Sequence, residues 1–245
     1  MQKGKGSEVL IFLDVETTGL EDDDRVCSIG MISVIDDGIE SDYELLNEGK
    51  KIHPKASSVH HITNEMLVEK PLFKDSNIYK FLEFNNTLDT TIIGHNIQHT
   101  MQKLLEVGFI FKGALIDTLR VSKHIIKECE SYALQFLRYE LRLYKNENSE
   151  LNRLTVNAPI ISHHALYDSF LVRLLYLYLL EEVSHEKMCE LSFKNVLIEK
   201  FEFGKHSGRY LEDVAINDRG YLEWMTSNMD LDDDLRYSID YYLKG

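Results

Sequence analysis

Proline, cysteine and tryptophan are scarce here: 3 prolines, 3 cysteines and a single tryptophan among 245 residues. So few prolines exclude a proline-rich stalk or spacer. The cysteines, at 27, 129 and 189, have no metal-like spacing, and their odd number argues against a disulfide framework. They read as free, mostly buried thiols of a reducing compartment, which makes a cytoplasmic location the expectation. Long apolar runs are missing too. The longest, Phe170 to Leu180, carries Arg173 and falls short of the roughly 20 residues a membrane span needs, so no membrane partner is expected. No secretory signal opens the chain, and residues 1–8 read as a flexible tail.

Positive charge is the last shortage. Lysine and arginine number 27 against 41 acidic residues, a formal net charge of −14. That balance disfavours a broad basic surface for nucleic acid. It still allows a carboxylate metal site, whose charge bound cations neutralise, with a local basic groove beside it. Arg120, Lys123 and Lys127, and later Lys200, Lys205, His206 and Arg209, are candidates for such a groove.

What is present suffices for one mid-sized domain with a small appendage: 44% hydrophobic and 10% aromatic residues. Val9–Asp14 is a short apolar run ending in a carboxylate, the pattern of a buried strand that opens on a site. Val26–Ile35 and Ile39–Asn47, joined by a turn at 36–38, read as a hairpin, giving three adjacent antiparallel strands. Thr91–Gly94 and Ala114–Asp117 are further strands. Helices are expected over Ser76–Phe84, Gln98–Val107, from Asp117 through Ile126, from an N-cap at Ser131 through Arg142, and over Ser162–Glu182. The last carries Leu166, Phe170, Leu174 and Leu177 on one face. Residues 146–161 are polar and read as an exposed connection. The result is an α/β or α+β domain with a mixed sheet, followed by a compact aromatic tail.

Two constellations carry chemistry. Asp14 and Glu16 lie two apart at a strand end and project to one side, where two hard oxygens can meet one Mg²⁺ or Mn²⁺. The alternative is a pair of solvated turn residues before Gly19. His163 precedes Asp168 by five residues at a helix start, which suits a general base beside a metal-holding carboxylate; cap and surface roles are the alternative. Other polar groups read as structural. Asp117 is a helix cap, Asp22–Asp24 and Asp232–Asp234 are loops or helix starts, and Tyr167, Tyr176 and Tyr178 are core. Gly204–Arg209 lacks the spacing of a Walker loop.

In order along the chain, Asp14–Leu20 (DVETTGL), Val59–Thr63 (VHHIT), Gly94–Asn96 (GHN) and His163–Asp168 (HHALYD) resemble the motifs of the DEDDh 3′–5′ exonucleases. The tail FGKHSGRYLEDVAINDRGYLEWM resembles the C-terminal module of the exonuclease X type. The resemblance implies a ribonuclease-H-like fold with a central five-stranded mixed sheet and a small C-terminal α+β module. It divides the chain into a tail (1–8), an exonuclease domain (9–190) and the module (191–245). It further implies that Asp14, Glu16 and Asp168 hold Mg²⁺ or Mn²⁺ and that His163 is the general base. Thr17, Leu20, His60, Asn96, His99 and Thr100 would lie where the 3′ end of the nucleic acid, single-stranded DNA first of all, is bound.

One departure stands out. The family's middle motif ends in an aspartate that helps hold a second ion, and Thr100 occupies that position here, with His99 in place of the aromatic. Threonine is neutral and a weak ligand, and Glu106 lies nearly two turns on. A slowed nuclease, or a binding module that grips 3′ ends, is therefore expected.

Overall fold

The computed structural model describes residues 9–36, 38–154 and 161–244. The expected N-terminal tail, Asp37 of the expected turn, and residues 155–160 of the expected connection lie outside them. No helix among the described residues is long and apolar enough to cross a membrane.

β1 (Val9–Thr17), β2 (Val26–Ile35) and β3 (Gly38–Leu45) form an antiparallel set, and β4 (Thr90–Gly94) and β5 (Ala114–Asp117) extend it in parallel. The order β3-β2-β1-β4-β5 makes a mixed five-stranded sheet, as expected, with β1 at its centre. β1 runs three residues beyond the expected end, so both Asp14 and Glu16 lie within the strand. Strand alternation sorts its side chains. Val9, Ile11 and Leu13 pack with α2 (Asn77–Phe84) and α3 (Ile97–Glu106), which follow the short helix α1 (Pro54–His60). Leu10 and Phe12 point the other way, into the cluster built around α7. Asp14 and Glu16 continue that second face.

Between them lie α4 (Thr118–Ile125), α5 (Leu134–Glu140) and α6 (Glu147–Leu154); α7 (Ala165–Leu180) and α8 (His185–Leu191) follow. Asp117 caps α4 as expected, accepting from the Leu119 N–H at 3.0 Å and the Arg120 N–H at 3.4 Å. α5 is shorter than the sequence suggests. The Ser131 hydroxyl accepts from the Ala133 N–H at 3.3 Å in a turn ahead of the helix, and Arg142 adopts φ +57°, which ends it. The expected exposed connection is corrected as well. Leu151 and Leu154, three apart among polar residues, give α6 a buried stripe, and the buried Glu147 pairs with Arg138 at 2.8 Å. α7 is covered on nearly all sides rather than on one face, and the expected inward Leu177 is half-exposed.

The seat of α7 depends on Gly30, which pairs with Asp14 across the β1–β2 ladder. A Cβ at Gly30 would meet the Leu166 nitrogen at 2.1 Å and the Ala165 carbonyl carbon at 2.3 Å. The Ser169 hydroxyl donates to the Gly30 carbonyl at 2.7 Å. Only a glycine lets the helix start lie this close to the sheet, and that approach carries Asp168 toward Asp14.

Backbone contacts divide the chain into two compact units, with the division between Ser192 and Phe193. The second contains α9 (Leu211–Asn217), α10 (Arg219–Asn228) and α11 (Asp233–Lys244) around Phe201, Leu211, Val214, Leu222, Met225, Leu235 and Ile239. Its strand content is a single bridge, Lys200 to Tyr210, so the expected α+β module is almost wholly helical among the described residues. Gly204 (φ +72°) and Gly208 (φ +82°) both turn the chain inside that span, leaving no length for a ladder. Asp232 accepts from the Leu235 N–H at 2.9 Å, so this acidic run begins a helix.

Candidate active site

Asp14 and Glu16 reach the site from β1, and a β-bulge follows them. The ladder with β2 shifts register between Glu16 and Thr17, a device that re-aims side chains at a strand end. Asp168 arrives from the first turn of α7. His163 stands in the loop before it, exposed and at φ +60°. One ligand atom each from Glu16, His163 and Asp168 lie within 4.8 Å of one another. A cavity of about 300 Å³ holds these three together with Asp14, His95 and Gln135.

Three carboxylates in so small a space oppose one another's ionisation. Burial, then the charges of Asp168 and Glu16, push Asp14 well above the usual carboxylate range. Burial and then Asp168 raise Glu16 to about 8. Burial lifts Asp168 to about 6, against hydrogen bonds from Gln135 and from the His163 and His164 backbone that favour its anion. The Gln135 amide donates to Asp168 at 2.9 Å. Hard oxygen donors that repel one another in a half-closed pocket fit a divalent cation such as Mg²⁺ or Mn²⁺.

Raised folded-state values leave stability intact below pH about 4, while Glu16 and Asp168 stay protonated. That stability is lost as pH rises through about 6 and then about 8, because the folded chain must ionise against repulsion. A bound divalent cation removes the penalty. The gain in Tm on adding Mn²⁺, read by differential scanning fluorimetry, should therefore grow steadily from pH 5 to pH 8. A gain independent of pH would show that these carboxylates do not take up the ion.

A second, wider cavity of about 530 Å³ adjoins the first and shares Glu16 with it. Thr17, Leu20 and His60 line it, along with Lys50, Lys51, His53 and Lys55. Leu20 is 84% exposed, an apolar side chain left at the mouth. His60 is buried and both ring nitrogens are occupied: Nδ1 accepts from the Ile62 N–H at 3.1 Å, and Nε2 donates to the Thr17 carbonyl at 3.2 Å. Its ring fixes the end of β1 and leaves only a face for a ligand.

The middle motif sits differently. Asn96 adopts φ +66°, and its N–H donates to Asp117 at 3.0 Å. His99 is exposed on α3, while Thr100 is buried. None of these three is among the residues lining the two cavities. His95 does line the smaller one, held by the Tyr132 carbonyl at 2.8 Å and the Thr118 hydroxyl at 3.0 Å; burial lowers it to about 4, so it is neutral. Lys50, Lys51 and Lys55, which the sequence reading did not nominate, line the wider cavity. Lys205 and His206 share Asp218, at 2.7 and 2.9 Å. Sequence reasoning also missed Gln135, a polar residue within a helical pattern that carries no mark of its partner.

The sequence pattern of the exonuclease family, described simply as exonuclease, matches residues 11–173, from β1 to the middle of α7. The chain belongs to the exonuclease family. A second pattern, the exodeoxyribonuclease X-like C-terminal, matches residues 201–230. Exodeoxyribonuclease 10 of Escherichia coli (strain K12) is 27% identical over 244 residues, covering 97% of this chain and 100% of the relative. A solved exonuclease X in complex with 5′ overhanging duplex DNA aligns with a TM-score of 0.55 at 22% identity, covering 75% of this chain and 99% of that one. A 3′-exonuclease solved for 3′-end specific recognition of a histone mRNA stem-loop aligns at 0.51 with 9% identity, covering 72% and 83%. These two likenesses show a shared ribonuclease-H-like fold. Membership of the family makes the chain a nuclease, a hydrolase acting on nucleic acid.

Proposed function

We propose that this exonuclease is a metal-dependent 3′–5′ enzyme that releases mononucleotides from DNA 3′ ends, in the cytoplasm, and that Thr100 slows it. The observation that carries this reading is the convergence of Glu16, His163 and Asp168 within 4.8 Å, beside Asp14. Asp14, Glu16 and Asp168 hold the cation, Mg²⁺ or Mn²⁺. When bound, it supplies positive charge where negative charge builds on the phosphate. His163, exposed beside the carboxylates, takes the proton of the water that attacks the last phosphodiester. The terminal nucleoside occupies the wider cavity, its base against Leu20 and the His60 face, its sugar at the Thr17 backbone. Glu16 joins the two cavities, so the scissile phosphate falls where the carboxylates are.

A specific observation favours a second reading, a silenced module that grips 3′ ends. Thr100 gives the middle motif no carboxylate, and no Asp or Glu follows before Glu106, which pairs with Arg25 at 2.9 Å. Single-stranded DNA is the first substrate to try, with RNA of the same sequence beside it. The test uses one oligonucleotide labelled at either end, with Mn²⁺. The proposal expects the 3′ label to leave at once as a mononucleotide, while the 5′ label appears in a ladder of shortening strands. Loss of the 5′ label first would refute the polarity. Metal-dependent binding without any cleavage would establish the module instead.

A further inference from the structure

The wider cavity has a basic lip that the proposed chemistry does not use. Lys51 and Lys55 line it, both are exposed, and neither has a carboxylate partner among the described residues. Lys50, beside them, is already matched by Asp23 at 2.7 Å and Asp24 at 2.9 Å. Two unmatched ammonium groups at one cavity mouth are notable in a chain of net charge −14.

The lip is also firmly built. The His53 N–H donates to the Thr18 carbonyl at 2.8 Å, tying this segment to the end of β1. Ile52 is buried and its N–H donates to the Asn64 side chain at 2.8 Å. His53 Nδ1 accepts from the Lys55 N–H at 3.1 Å, which fixes the backbone between the lysines. The stems of Lys51 and Lys55 thus leave a backbone held in register with Thr17 and Glu16. The backbone beneath them is thus already ordered, and only the two side chains lose freedom when an anion arrives.

We infer that Lys51 and Lys55 form a phosphate clamp for the nucleic acid, holding backbone phosphates where the strand crosses the mouth of the wider cavity. The inference rests on the proposed reading that this cavity takes the terminal nucleoside. Ionic contacts of this kind release condensed counterions, so they steepen the dependence of affinity on salt by about 0.7 per phosphate on a single strand. They supply affinity without reading sequence.

The experiment measures anisotropy of a labelled single-stranded oligonucleotide from low to moderate salt, in a His163→Ala background so that the strand survives. Lys51→Ala with Lys55→Ala should flatten the slope of log K against log salt by about 1.4, two contacts at about 0.7 each. The two chains should differ most at low salt and converge as salt rises. Tm should not move, since both side chains are exposed. A slope unchanged in the double variant, with normal binding by its parent, overturns the clamp and leaves the proposed function standing. Failure of the parent itself to bind any oligonucleotide overturns both.

Discussion

Replacing Thr100 with aspartate is expected to raise the rate of 3′-nucleotide release by about 10²–10³-fold, measured as kcat with saturating Mg²⁺. Thr100 lies on α3, one turn past Asn96, and is 4% exposed. A hydroxyl there is neutral and cannot offset a divalent charge, whereas a carboxylate can. The gain corresponds to about 2.7–4 kcal/mol of transition-state stabilisation, by analogy with restoring one missing oxyanion donor. The same change should lower Tm in EDTA, because it adds a buried charge with no counter-ion, and metal should restore it. An unchanged rate would show that Thr100 does not stand where the family's aspartate acts.

His163→Ala is expected to lower kcat by about 10²–10⁴-fold while leaving Mn²⁺ affinity nearly intact. The imidazole belongs to the converging group yet is exposed, whereas Asp168 is buried, so its assigned work is proton transfer rather than ion holding. His163 sits at φ +60°, where a non-glycine backbone is uncommon, so His163→Asn is the useful companion variant: asparagine tolerates that region better than alanine. Both variants should be similarly slow. A parallel fall in Mn²⁺ affinity would instead make His163 a ligand.

Much of this was legible in the residues because the site is made of short-range patterns. Asp14 and Glu16 share a face through strand alternation alone, and His163 and Asp168 straddle one helix start. The mixed sheet was equally readable, since an apolar run followed by a hairpin and two strand–helix units calls for antiparallel and parallel neighbours together. What stayed hidden depends on contacts between distant segments. Nothing near Gly30 announces that α7 will press on it, although that approach delivers Asp168. Gln135 acquires its role only when α5 meets the start of α7. Charge was hard to read for a related reason: lysines count by where they end up, and Lys51 and Lys55 end at the cavity. The buried stripe of α6 was lost among polar neighbours, because two leucines three apart are too weak a signal on their own.

The central claim is that Asp14, Glu16 and Asp168 form one good cation site and that Thr100 deprives the chain of a second. Counting bound Mn²⁺ by electron paramagnetic resonance, in the parent and in Thr100→Asp, tests it most directly. The account predicts one tightly held ion per parent chain, abolished by Asp168→Asn, and two in Thr100→Asp. Two tight ions in the parent, or none sensitive to Asp168→Asn, would contradict it.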